Sequence, residues 1–313
     1  MFLIVATKNR FQPTDMKFLN VVENRKYYLS FAGILVLVSL LFVIFLGLKP
    51  GIDLIGGTEW QVSFKNANVS VSQIKSVLSI SGLKDFSVTD IGNNILDIKT
   101  SEMSEVDHQK YAGILKVNVG DFTEENFSSI GPTIGSELAH KSVTAIILVL
   151  VGISLYIAYA FRKVSEPVKS WKYGMITLLT LVHDVSIPAG FLALLGYFKG
   201  IEIDTNFIVA LLVIMGFSVH DTIVVFDRIR ENLMLSRGKK KSLSEIIDYS
   251  VKETFARSVN TSFTLVLVLV SLLVFGPQSL FYFILTMLIG TIFGTYSSIF
   301  VASPLLFIWQ KKE

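Results

Sequence analysis

The sequence predicts a polytopic α-helical membrane protein with six transmembrane helices and a small α+β extracytoplasmic domain between the first and second. Of 313 residues, 51% are hydrophobic and 17% charged, and the mean hydropathy of +0.59 is too high for an ordinary soluble domain. Six near-continuous apolar runs cover 28–48, 142–161, 173–195, 205–227, 258–275 and 280–308. Each is close to the ~20 residues that cross a hydrocarbon core of ~30 Å. Between the first two runs, 49–140 is rich in charge and carries both strand and helix periods.

The first run reads as a span and not a cleavable leader, because it exceeds the ~7–15 apolar residues of a secretory h-region and an arm, 1–27, precedes it. Positive charge sets the orientation. Lys8, Arg10, Lys17, Arg25 and Lys26 lie on the arm, Arg162, Lys163, Lys169 and Lys172 on the next same-side link. Arg228, Arg230, Arg237 and Lys239 to Lys241 fall in a basic loop, 228–257, and Lys311 and Lys312 in a tail, 309–313. The positive-inside rule places all of these, and both termini, in the cytoplasm. These clusters abut span ends, so they read as membrane anchors; nucleic acid is not an expected partner.

The chain has no cysteine, which removes disulfides and thiolate metal sites. His108, His140, His183 and His220 lack zinc-site spacing, and no metal or cofactor is expected. Nothing matches a Walker lysine loop or a nucleophile elbow either, so the chain is not expected to be an enzyme.

Within 49–140, Thr58 to Phe64 alternates as a strand, with Trp60, Val62 and Phe64 on one face. Val71 to Ile80 has helical spacing. Phe86 to Asp90 and Asn94 to Lys99 read as strands joined by the turn residues Gly92, Asn93 and Asn94. A helix over Ser104 to Val117 and a closing strand around Gly120 to Phe127 complete a β-α-β-β-α order related to the split βαβ module. Two glycine motifs bracket the domain near the membrane surface: GIDLIGGT at 51–58, with Asp53, Gly56, Gly57 and Thr58, and SIGPTIGSEL at 129–138.

The apolar spans carry polar groups that need a reason. On insertion scales an Asp at a helix centre costs ~2.5–3.5 kcal/mol, so it persists where it meets a partner, a cavity or a task. Asp184 follows His183 in the third span, and Asp221 follows His220 in the fourth. Ser218, Asp221 and Thr222 share one helical face by their spacing, and Arg257, Thr261 and Thr264 form a second stripe in the fifth. Arg257 enters from the cytoplasmic end, toward which Asp221 is displaced, and the spacing fits either a switchable Asp221–Arg257 pair or a permanent ion pair that fixes packing. In the sixth span Gly290, Gly294, Ser298 and Ala302 make a small-residue seam for close helix approach. Pro188 and Gly190 are positioned to bend the third.

Together with VHD at 182–184, HDTIVVFDRIREN at 220–232, ARSVNTSFT at 256–264 and TMLIGTIFGTYSSIFVASPL at 286–305, the two glycine motifs make the chain resemble the SecF side of the SecD/SecF family of protein-export membrane subunits. The resemblance implies half of a resistance-nodulation-division core, completed by SecD. It also implies work at the SecY, SecE and SecG translocon, with YajC as a further associate, promoting late-stage preprotein export with the proton-motive force. Asp221 and Arg257 fall where the family places proton-relay groups, with Asp184 as a further candidate. Other readings are one half of a proton-coupled exporter, a translocon scaffold, and an intramembrane aspartyl protease built on Asp184 and Asp221.

Overall fold

The computed structural model describes residues 19–64, 69–92, 94–162, 168–236 and 241–311. Lys8, Arg10, Lys17, Asn93, Lys163, Arg237, Lys239, Lys240 and Lys312 lie outside them. In chain order the elements are α1 (Arg25–Phe45), α2 (Ile52–Ile55), β1 (Gly57–Phe64), α3 (Val71–Ile80), β2 (Ser87–Gly92) and β3 (Ile95–Thr100). There follow α4 (Glu105–Asn118), β4 (Phe122–Ile130), α5 (Pro132–Ala160), α6 (Ser170–Lys199), α7 (Thr205–Leu235), α8 (Leu243–Phe275), α9 (Phe281–Phe300) and α10 (Ala302–Lys311). The chain divides into two compact units, a helical one from 1–47, 147–199 and 209–313, and an α+β one from 48–146 and 200–208.

In the α+β unit the strands form one antiparallel sheet in the order β2-β3-β1-β4, the split βαβ arrangement. Alternation on β1 and β3 sends Trp60, Val62, Phe64, Leu96 and Ile98 into a core closed by Ile74 and Leu78 of α3 and by Tyr111 and Leu115 of α4. Both helices begin at serine caps, Ser70 accepting from the Gln73 N–H and Ser104 from the Asp107 N–H. The closing strand runs later than expected, to Ile130, because Ser128 and Ser129 pair with Glu59 and Thr58 of β1. SIGPTIGSEL therefore starts in a strand and continues into α5, whose first residue, Pro132, needs no donor there.

Gly56 and Gly57 have φ of 82° and 131°, which favours glycine at both positions. The motif serves the α+β unit in three more ways. Thr58 Oγ1 lies 2.8 Å from Ser129 Oγ and accepts from the Met103 N–H at 2.9 Å. Asp53 Oδ2 accepts from both the N–H and the hydroxyl of Thr205, at 3.2 and 2.5 Å, and so caps the start of α7. Beside it, the Gly51 N–H donates to the Ile203 carbonyl at 2.8 Å and the Ile203 N–H to Lys49 at 2.7 Å.

Among the described residues, six helical segments are long and apolar enough to cross a membrane: α1, α5, α6, α7, α8 and the stretch containing α9 and α10. The last is broken at Val301. Pro304 explains the break, since it lacks the N–H that would bond Phe300 and its ring crowds that carbonyl. By contrast, α6 passes through Pro188 uninterrupted. It has buried residues along most of its length, and at Gly190 α1 comes so near that an added Cβ would stand 2.5 Å from the Ser39 Cα.

The stretch 228–257, expected as a loop, is mostly helix: α7 continues to Leu235 and α8 starts at Leu243 behind a Ser242–Glu245 capping box. An apolar run marks where the hydrocarbon ends and leaves the helix free to continue. Arg228 bonds Glu253 through two nitrogens, each at 2.8 Å, and Asn232 donates to Ser250 and Glu253, both at 2.9 Å. The bidentate geometry ties the two extensions side by side.

Candidate functional site

The helical unit carries a fully buried carboxylate on α6. Asp184 is 0% exposed. Its Oδ2 accepts from Ser218 of α7 and from Ser297 of α9 at 2.9 Å, while Oδ1 meets its neighbour His183 Nδ1 at 2.8 Å. Three helices thus deliver donors to one carboxylate, the condition under which a charge survives burial. Gly294 makes the α9 approach possible: an added Cβ there would lie 3.2 Å from Ser218 Cβ and 3.8 Å from Asp184 Oδ2. His183 is itself buried, and its Nε2 has no hydrogen-bond partner among the described residues.

One turn along α7 sits the second carboxylate, Asp221, 2% exposed. Its contact is Ser262 of α8, whose hydroxyl is 3.4 Å from Oδ2. Ser262 in turn accepts from Thr295 of α9 at 2.5 Å. Thr222 and Ser298 are 2.9 Å apart and both turn toward the Ser218 carbonyl. The arrangement is two carboxylates, each with its own set of hydroxyls, Ser218 and Ser297 for Asp184 and Ser262 backed by Thr295 for Asp221. Such groups in a low-dielectric setting can hold and release protons, and hydroxyls can pass them along.

Several predicted residues do not bond either carboxylate. Arg257 is exposed, and among the described residues it forms no ion pair with Asp221. Thr261 and Thr264 are exposed too, each bonded to a carbonyl of its own helix at 2.9 and 2.8 Å. The inward face of α8 is instead Ser258 and Ser262, one turn apart. His220 is exposed, so the two His-Asp repeats are not equivalent. Asp53, Gly56, Gly57 and Thr58 belong to the α+β unit, in the structural roles given above. Sequence reasoning passed over Ser262, Thr295 and Ser297. The spacing of Thr291, Thr295 and Ser298 carries a signal for Thr295, but glycines in the same stretch make it read as a packing seam; Ser262 and Ser297 have no such signal.

The model of the family "Protein export membrane protein SecD/SecF, C-terminal" matches residues 110–312, which hold every member of both carboxylate sets. The chain belongs to the SecD/SecF family. Protein translocase subunit SecF of Thermobaculum terrenum is 38% identical over 307 residues, covering 94% of this chain and 95% of that one. Its counterpart in Sebaldella termitidis is 34% identical over 297 residues, covering 94% and 92%. Among solved structures, SecDF of Thermus thermophilus, a translocon-associated membrane protein, superposes with a TM-score of 0.82 at 30% identity. That match takes in 96% of this chain and 40% of SecDF, so the chain spans well under half of the larger protein. SecDF in a super-membrane-facing form matches at a TM-score of 0.66, also at 30% identity. For this SecD/SecF family member the six-span bundle with a small antiparallel-sheet unit is the family's architecture.

Proposed function

We propose that the chain is an auxiliary subunit of the bacterial preprotein translocase, multi-pass in the cytoplasmic membrane, that works with a SecD-type partner. Proton passage through the Asp184 and Asp221 sets would bias the α+β unit between conformations and promote the late stage of export through SecY, SecE and SecG. The basic residues support cytoplasmic termini and an outward α+β unit. Asp184 carries the reading: a fully buried carboxylate, served by donors from three helices, in a chain of the SecD/SecF family. One charge moved across 100 mV gains about 2.3 kcal/mol, enough to shift a two-state equilibrium several tens of fold.

The outward face of α8 supports the partner. Arg257, Asn260, Thr261 and Thr264 are exposed on a helix of membrane-crossing length, where lipid would be a poor neighbour for them. A companion helix bearing an acidic group would suit that face and complete Arg257.

The test is gradient-stimulated translocation in vesicles that contain the chain, its SecD-type partner and the translocon. Asp184→Asn and Asp221→Asn should each remove most of the stimulation by a proton gradient while leaving gradient-independent translocation in place. Full stimulation in both variants would overturn the relay.

A further inference from the structure

We propose that Asp97 on β3 is a proton-binding site that sets how firmly the sheet of the α+β unit grips the link between α6 and α7. On the sheet face away from the core, Lys99 stands among three carboxylates. Its Nζ stands 2.8 Å from Glu202 Oε2 on the link, 3.6 Å from Asp97 Oδ2 and 3.9 Å from Glu59 Oε1 on β1. Asp97 is 5% exposed, and its Oδ1 has no hydrogen-bond partner among the described residues. The groups opposite it across the strands, Gln61 of β1 and Thr89 of β2, are uncharged. Among the described residues, Glu59, Lys99 and Glu202 are the charges that act on it. Lys99 and Glu202 also line a cleft of about 390 Å³ with Pro50, Ile52 and Phe86, which gives water a route to the cluster.

A buried carboxylate oxygen without a donor costs much less neutral than charged. Burial first, and then the like charge of Glu59, push the Asp97 carboxyl up to about 7. With Asp97 protonated, Lys99 is committed to Glu202 and the repulsion among the carboxylates falls by one charge. With Asp97 ionised, Lys99 is shared and Asp97 repels Glu202, so the grip loosens. Glu202 is followed directly by Ile203, whose backbone is hydrogen-bonded to Lys49 and Gly51, so loosening is readable at the Ile203 amide. Because the folded value exceeds the ordinary 3.8, the folded form binds more protons between the two values. The stabilisation is thus full below about 4 and is lost as pH rises through about 7. The intramembrane relay plays no part in this inference.

Amide exchange of the full chain, reconstituted in bilayers and corrected for intrinsic exchange rates, tests it. Protection at Ile203 should fall several-fold between pH 6 and pH 8 in the native protein. Asp97→Asn should hold the pH 6 level throughout, and Glu202→Gln should be weakly protected at both. Protection independent of pH in the native chain, or an undiminished drop in Asp97→Asn, overturns the proposal. Infrared titration of the native carboxyls guards against a misfolded variant: a neutral-range Asp97 midpoint supports the site, and a midpoint near 3.8 removes it.

Discussion

Ser297 on α9 donates to Asp184 on α6 across 2.9 Å, and it can do so because Gly294, one turn earlier, lets α9 lie against Ser218 of α7. A hydroxyl aimed at a buried carboxylate should matter for stability whatever the protonation state. Ser297→Ala leaves Asp184 one donor short and should destabilise the chain by about 1–3 kcal/mol, while Ser297→Thr, which keeps the hydroxyl, should recover part of that. Unfolding in detergent measures both, and an Ala variant as stable as the native chain would remove Ser297 from the site.

The α7–α9 seam can be probed at Gly290, where an added Cβ would run into the side chain of Ile214. Gly290→Ala should therefore cost about 1–3 kcal/mol through overpacking. Gly152 on α5 has nothing within 4 Å of the same built atom. Its alanine variant should stay within about 0.5 kcal/mol of the native chain. Equal melting shifts for the two would mean that α9 does not sit on α7 in this way.

Spans, individual strands and intramembrane carboxylates are legible because each rests on a local pattern: apolar length, two-residue alternation, or a charge where none is expected. Side-chain partners are not, because they depend on the rotation of each helix about its axis. A rotation of one residue, about 100°, separates Arg257, Thr261 and Thr264, which face out, from Ser258 and Ser262, which face in. Both stripes have helical spacing, and only packing chooses between them. The same applies to Asp221: the spacing points to Arg257, whereas the hydrogen-bonding contact is Ser262. Asp53 illustrates a different limit, since its partner Thr205 lies 152 residues away in sequence.

Asp53 makes a separable prediction. By capping α7 through Thr205 it satisfies donors that the helix cannot. Asp53→Ala should cost about 1 kcal/mol and speed amide exchange in the first turn of α7, with Asp53→Asn milder, because Asn also caps. Phe207 donates to Asp204 Oδ1 at 2.9 Å, so the readout is the Thr205 amide, and exchange unchanged there would show that Asp53 does not hold that turn.

Arg257 distinguishes packing from partnership. A permanent intrachain ion pair with Asp221 would make its loss strongly destabilising, by about 3–5 kcal/mol for a buried pair left half-empty. The exposed position predicts otherwise. Arg257→Ala should leave the stability of the isolated chain within about 0.5 kcal/mol of native. Its effect should appear once the SecD-type partner is present, as weaker co-purification or lost gradient stimulation. Arg257→Lys tests geometry, since an ammonium keeps the charge and lacks the two-pronged fork that matches a carboxylate. Loss of stability in the isolated Ala variant, together with normal behaviour in the complex, would return Arg257 to the interior of this chain and leave the outward face of α8 without its partner.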